Sequence, residues 1–172
     1  MNPLLVNVAD LLRRPGSDRA VEVTMPLADL DVVDLTRFTD DAEVDVRLRL
    51  DSLNDGIVVD GVLRTPWIGV CRRCLVATSG VAESDVHELY QRVVTATDAF
   101  EIVGEQLDLR PVVRELVLLD APSTPLCRPD CAGLCPTCGA DCNERPCICQ
   151  PPPVDPRWSA LDALKAPAEP TE

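Results

Sequence analysis

Residues 44–63, Val44-Asp45-Val46-Arg47-Leu48-Arg49-Leu50-Asp51-Ser52-Leu53-Asn54-Asp55-Gly56-Ile57-Val58-Val59-Asp60-Gly61-Val62-Leu63, decide the fold. Val44, Val46, Leu48 and Leu50 alternate with Asp45, Arg47, Arg49 and Asp51. A period of two puts one set on a buried face and the other in water, the pattern of a half-buried strand. Asn54-Asp55-Gly56 then signals a hairpin turn, and Ile57–Leu63 supplies an apolar return strand.

Working outward, Ala20–Met25 is strand-like and Pro26–Asp41 reads as an acidic connecting segment. Trp67–Cys71 and Leu75–Tyr90 continue the meander, with Gly80 marking a bulge or bend. A short helix is expected over Asn7–Leu12, stopped by Arg14-Pro15-Gly16. Asp108 can cap a helix over Leu109–Leu119, with Pro111 tolerated in its first turn and Pro122 ending it. Leu109, Val112, Val113, Leu116 and Val117 form an apolar stripe on that helix, suited to packing on a sheet. The expected class is therefore α+β. Residues 1–122 make an antiparallel meander or partly open barrel with one packing helix. Residues 123–150 make a small cysteine-rich module, and 151–172 make a Pro-rich linker, a short helix with Trp158, Leu161 and Leu164 on one side, and a disordered tail.

The chain of 172 residues is long enough for one domain with a proper core. Its apolar runs fall far short of the ~18–20 residues that span a bilayer. The opening MNPLLVNVADLLRRPG places its arginines after the apolar stretch, the reverse of a secretory signal. This points to a cytoplasmic protein with no membrane partner, in a compartment where clustered thiols stay reduced. The net charge is −13, and residues 31–60 hold nine acids against three arginines. Such a field repels polyphosphate at long range and favours a basic protein partner, so any nucleic-acid contact must be local.

Seven of the nine cysteines fall in Cys127-x3-Cys131-x3-Cys135-x2-Cys138-x3-Cys142-x4-Cys147-x-Cys149. Between Ser123 and Pro153 the only large apolar side chains are Leu126, Leu134 and Ile148, too few for a hydrophobic core. One structural Zn2+ contributes roughly 10–16 kcal/mol to folding, against about 2–4 kcal/mol for a disulfide. A metal is the stronger fastener. Cys135-Pro136-Thr137-Cys138-Gly139 is a zinc-knuckle sequence: the two-residue spacer brings both sulfurs to one ion at about 2.3 Å, and the glycine permits a tight turn. The remaining ligands come from Cys127 and Cys131 or from Cys147 and Cys149. Either some thiols stand outside the coordination sphere or there is more than one four-thiolate site; the spacing leaves both open. An all-thiol cluster lacks the open position and the histidine common at catalytic zinc, so the ion is structural.

Cys71-Arg72-Arg73-Cys74 falls at a strand turn rather than at a helix N-terminus. It is open to three uses: a redox pair, additional metal ligands, or a structural turn with partly buried thiols. His87, the lone histidine, sits mid-strand beside Glu88, the setting of a surface or satisfied histidine. No phosphate-cradling Gly-rich loop and no paired nucleophile and base are legible, and no small-molecule substrate is implied. The chain reads as a non-enzyme.

Several ordered motifs carry a resemblance. Cys71-Arg72-Arg73-Cys74-Leu75, the acidic strand after it, and Leu107-Asp108-Leu109 opening a helix are similar to the YceD family. So are Pro125-Leu126-Cys127, Cys131, Gly133-Leu134-Cys135-Pro136, Cys138-Gly139, Cys147-x-Cys149 and Asp155-Pro156-Arg157. The resemblance spans roughly residues 40–165, and Cys142 departs from it, an aliphatic residue being usual there. Members are called large ribosomal RNA subunit accumulation proteins. The resemblance implies a non-enzymatic role in accumulation or maturation of large-subunit ribosomal RNA. The partners expected are a precursor of the large ribosomal subunit, a basic ribosomal protein held by the acidic 31–60 segment, and rRNA touched locally by Arg72 and Arg73. The alternatives are a zinc- or thiol-handling protein using Cys71 and Cys74, and a hydrolase of precursor RNA.

Overall fold

The computed structural model describes residues 2–150 apart from Val33 and Leu35, together with Asp155, Arg157, Trp158 and Leu161. The elements in chain order are β1 (Leu5–Asn7), α1 (Ala9–Arg13), β2 (Asp18–Pro26), a 3-10 turn (Leu27–Leu30) and β3 (Glu43–Ser52). They continue with β4 (Ile57–Val70), β5 (Ala77–Gln91), β6 (Phe100–Glu101), β7 (Gln106–Asp108) and α2 (Arg110–Asp120). Five strands form an open sheet in the order β2-β3-β4-β5-β6, antiparallel except for the parallel β5–β6 pair; β1 and β7 form a separate two-stranded sheet. The architecture is α+β, with a mostly antiparallel open sheet, one main helix and the cysteine clusters at its C-terminal end.

The alternation in β3 is realised directly. Val44, Val46, Leu48 and Leu50 are buried, facing the same core as Ile57, Val59 and Leu63 of β4 and Val86 and Tyr90 of β5. The opposite face is laced with charge in cross-strand rows. Asp45 lies opposite Arg64, and Arg64 opposite Glu83, whose carboxylate it meets at 2.9 Å. Asp60 lies opposite His87 and bonds its ring, so the histidine is an exposed partner in a charge row.

The turn after β3 closes with the Leu53 N–H donating to the Gly56 carbonyl at 2.8 Å. β4 then runs unbroken past Leu63 to Val70, where the sequence suggests a break before Trp67. Pro66 is tolerated because the β3 ladder ends at Asp45–Arg64, leaving the far half of β4 paired on one side only. Gly80 is no bulge: the β4–β5 register is continuous, with Trp67 opposite Gly80. A Cβ there would stand 2.8 Å from the Trp67 ring, so glycine makes room for the indole.

Three further differences have local causes. The N-terminal helix starts later than expected, at Ala9, because Leu5–Asn7 pairs with Gln106–Asp108. The segment after Pro26 is more than an acidic connector: Leu27, Leu30, Val32 and Phe38 are buried in the core. Asp108 acts one residue before the cap position, its carboxylate accepting the Arg110 N–H at 3.0 Å and the Arg110 guanidinium at 2.6 and 2.8 Å. At the other end of α2, Arg37 donates to the carbonyls of Leu118 at 2.7 Å and Ala121 at 3.2 Å. These bonds satisfy orphan carbonyls at a helix C-terminus. Val112, Val113 and Val117 bury the helix against the sheet. The short helix expected around Trp158, Leu161 and Leu164 and the tail after it lie largely outside the described residues.

Candidate metal centres

Two antiparallel strands of unequal partnership run out beyond the core and end in the turn 71–76, and this turn carries half of one site. The Cys71 N–H donates to the Val76 carbonyl at 2.8 Å, and the Leu75 N–H to the Cys71 carbonyl at 2.9 Å. Leu75 takes a left-handed φ of 61°, a conformation that costs a non-glycine residue roughly 1–2 kcal/mol. The chain repeats the same turn from Cys135 onward. Cys135 N–H donates to the Ala140 carbonyl at 2.8 Å, Gly139 N–H to the Cys135 carbonyl at 2.9 Å, and Gly139 has φ 72°. Both Cys-x2-Cys segments are therefore knuckles of one design, with leucine in one at the place of glycine in the other.

The fold supplies each knuckle with a second pair of sulfurs. Cys71 and Cys74 meet Cys127 and Cys131, and Cys135 and Cys138 meet Cys147 and Cys149; within each group all four sulfurs lie within 4.8 Å of one another. Cys71 Sγ is 3.8 Å from Cys131 Sγ, Cys74 Sγ is 3.6 Å from Cys127 Sγ, and Cys138 Sγ is 3.5 Å from Cys147 Sγ. Four sulfurs placed about 2.3 Å from a central ion stand about 3.8 Å apart in a tetrahedron. The donor set and its spacing fit a Zn2+-sized ion in each group.

The inner group is built into the protein. Cys71, Cys74 and Cys131 are buried and form a small apolar cluster of their own with Leu126 and Leu134. Arg72 N–H donates to the Pro125 carbonyl at 3.0 Å, and Leu134 N–H to the Arg73 carbonyl at 3.0 Å. Gly133 is required here: it has φ 77°, and a Cβ would stand 3.0 Å from the Arg73 carbonyl oxygen. Asn143 donates to the Cys131 sulfur at 3.5 Å while its side-chain oxygen accepts the Ala132 N–H at 2.8 Å. Such outer contacts orient ligating sulfurs.

Electrostatics point the same way. Backbone N–H groups of Cys127 and Cys74 aimed at Cys71 hold its thiol down to about 6, while burial and the neighbouring sulfurs push Cys127 up to about 12. In the outer group the N–H groups of Cys138 and Thr137 hold Cys135 down to about 6, and the sulfurs of Cys147 and Cys138 push Cys149 up to about 12. Each cluster thus has one thiol that ionises readily and another whose ionisation the neighbouring sulfurs oppose.

All six module cysteines named from sequence fall in clusters, but they divide between two. Cys127 and Cys131 join Cys71 and Cys74, and Cys147 and Cys149 join the Cys135–Cys138 knuckle. Cys142 belongs to neither; its sulfur lies 3.8 Å from the Ala140 carbonyl. The arginines also part ways. Arg73 is engaged, donating to the carbonyls of Cys131 at 2.9 Å and Pro129 at 3.4 Å. Arg72 is exposed, with no side-chain ion pair found among the described residues. Asn143 was missed by sequence reading, since an isolated asparagine in a loop carries no signal of what it will touch.

The profile of the YceD family, described as large ribosomal RNA subunit accumulation protein, matches residues 59–165, a range that holds all eight clustered cysteines. An uncharacterized protein of Mycobacterium tuberculosis (strain ATCC 25618 / H37Rv) is 32% identical over 177 aligned residues, which cover 99% of this chain and 85% of the relative. An uncharacterized protein of Mycobacterium bovis matches to the same extent. One of Mycobacterium leprae is 29% identical, with 99% of this chain and 81% of the relative covered. No solved structure matches. With a profile match over more than half of its length and these relatives aligned along nearly all of it, the chain belongs to the YceD family.

Proposed function

We propose that this chain is a non-enzymatic, cytoplasmic factor for assembly of the large ribosomal subunit, supporting accumulation or maturation of its RNA. The observation that carries the reading is the family match over residues 59–165, which takes in most of β4, all of β5 to β7, α2 and the cysteine clusters together. In this reading Cys71, Cys74, Cys127 and Cys131 hold one structural Zn2+, and Cys135, Cys138, Cys147 and Cys149 a second. The 123–150 module is thereby fastened to the 1–122 core. Two four-thiolate sites would take the net charge from −13 to about −17, eight thiolates being offset by two dications. That strengthens the case for a basic ribosomal protein as partner, with Arg72 the residue left for a local phosphate contact.

The acidic 31–60 segment offers a narrower surface than its composition suggests. Asp34, Asp45 and Asp51 are ion-paired with Arg37, Arg47 and Arg49, and Asp60 is hydrogen-bonded to the His87 ring. Asp31, Asp40, Asp41, Glu43 and Asp55 remain for a partner among the described residues, so a basic protein is expected to approach the β2–β3 connection and the hairpin turn. The thiol-handling alternative is disfavoured by Cys71, which is fully buried and backed by Leu126 and Leu134. Among the described residues no helix is long and apolar enough to cross a membrane.

The test is sedimentation of a lysate holding the chain tagged at its own locus. Co-migration with free large subunits or their precursors, and absence from polysomes, is the expected result. A signal confined to the top of the gradient would overturn a role on the particle itself.

A further inference from the structure

The two clusters are alike in ligands and unlike in setting. Three of the four inner sulfurs are buried, and three separate connections tie their two chain segments together: Arg72 to Pro125, Leu134 to Arg73, and the Arg73 guanidinium to Cys131. In the outer cluster only Cys135 is buried; Cys138 and Cys149 are exposed and Cys147 is half-buried. Its second ligand pair also has no other anchor. After Arg145, whose N–H reaches the Asp141 carbonyl at 3.5 Å, no backbone hydrogen bond ties 146–150 to the rest of the fold among the described residues. The Cys149 N–H bonds only the Cys147 sulfur, at 3.3 Å, and Ile148 between the two ligands is 99% exposed.

Metal leaves a thiolate site stepwise, each sulfur being replaced by solvent or a competing ligand. The rate follows how easily the first sulfurs swing away. At the outer cluster, Cys147 and Cys149 can leave by local motion of five residues. At the inner cluster, departure requires opening a buried apolar contact and three polar connections. We infer that the outer cluster is an exchangeable zinc site that clasps the exit of the C-terminal segment, whereas the inner cluster is a closed site joining the cysteine module to the β4–β5 turn. Occupancy of the outer site then sets whether residues 146–150 are held against the module. This inference rests on reading both clusters as zinc sites.

The full chain, loaded with Zn2+, is to be titrated with EDTA and followed by native mass spectrometry, with N-ethylmaleimide alkylation and peptide mapping at each stage. Two ions are expected at the start and a one-ion form partway. In that form labelling should reach Cys135, Cys138, Cys147 and Cys149 and spare Cys71, Cys74, Cys127 and Cys131, with Cys142 labelled throughout. Cys149→Ser should bind one ion and keep the fold, as only the outer site is touched. Simultaneous loss of both ions, or first labelling at Cys71 and Cys74, would overturn the inference. A folded chain that takes up no Zn2+ would overturn the zinc reading itself, a distinct result.

Discussion

Replacing Cys71 by serine probes how much of the cysteine module depends on metal. The module's inner apolar cluster contains three cysteines and the partly buried Leu126 and Leu134. The main core draws on 25 buried residues from the strands, α2 and the segments that connect them. Packing therefore supports the sheet and can do little for 123–149. A structural zinc contributes about 10–16 kcal/mol, and a thiolate ligand lost from a buried site removes a large part of it. Suppose only about 4 kcal/mol of local stability were lost, well under half of the lower figure. Protection of the amides that join turn and module would still fall about a thousandfold, at about 1.4 kcal/mol per decade. Those amides are Arg72, bonded to Pro125, and Leu134, bonded to Arg73. Hydrogen exchange with mass spectrometry on the Zn2+-loaded chain reads both, with amides of β3 and the first half of β4 as internal reference. Cys142→Ser, which alters the cysteine outside both clusters, is the control and should leave every amide unchanged. Protection at Arg72 and Leu134 within tenfold of the unsubstituted chain, with the sheet intact, would refute the reasoning: the module would then be held by its packing.

Two further outcomes test the rest of the fold. Gly80→Val puts a branched side chain where even a Cβ stands 2.8 Å from the Trp67 ring; urea unfolding should show a loss of about 1–3 kcal/mol and altered Trp67 fluorescence. The Thr36 hydroxyl and Arg37 hold the Asp34 carboxyl down to about 2 from an ordinary 3.8. A carboxyl depressed by folding stabilises the native state fully above its unfolded value, and that contribution is lost as pH falls from about 4 to about 2. Asp34→Asn should therefore be less stable than the unsubstituted chain at pH 7, with the difference narrowing in urea titrations toward pH 2.

The period-two pattern of 44–50 and the Asn54-Asp55-Gly56 turn were enough to read the central hairpin, because alternation depends only on neighbours in the chain and on which face meets water. The apolar stripe of α2 was legible for the same reason. The Cys-x2-Cys segments were legible as knuckles, since two residues suffice to aim both sulfurs at one point. Which pair completes which knuckle was beyond the sequence. Cys71 and Cys127 are separated by three strands and a helix, and only the length of β4 and β5 carries the 71–76 turn out to where Pro125 and Leu134 can bond it. The kinship of the two knuckles was hidden too, because Leu75 holds a left-handed φ that the sequence reserves for residues like Gly139. Local chemistry marked the ligands; the tertiary path of the chain paired them, because a tetrahedral site is defined by distances in space that residue spacing does not contain.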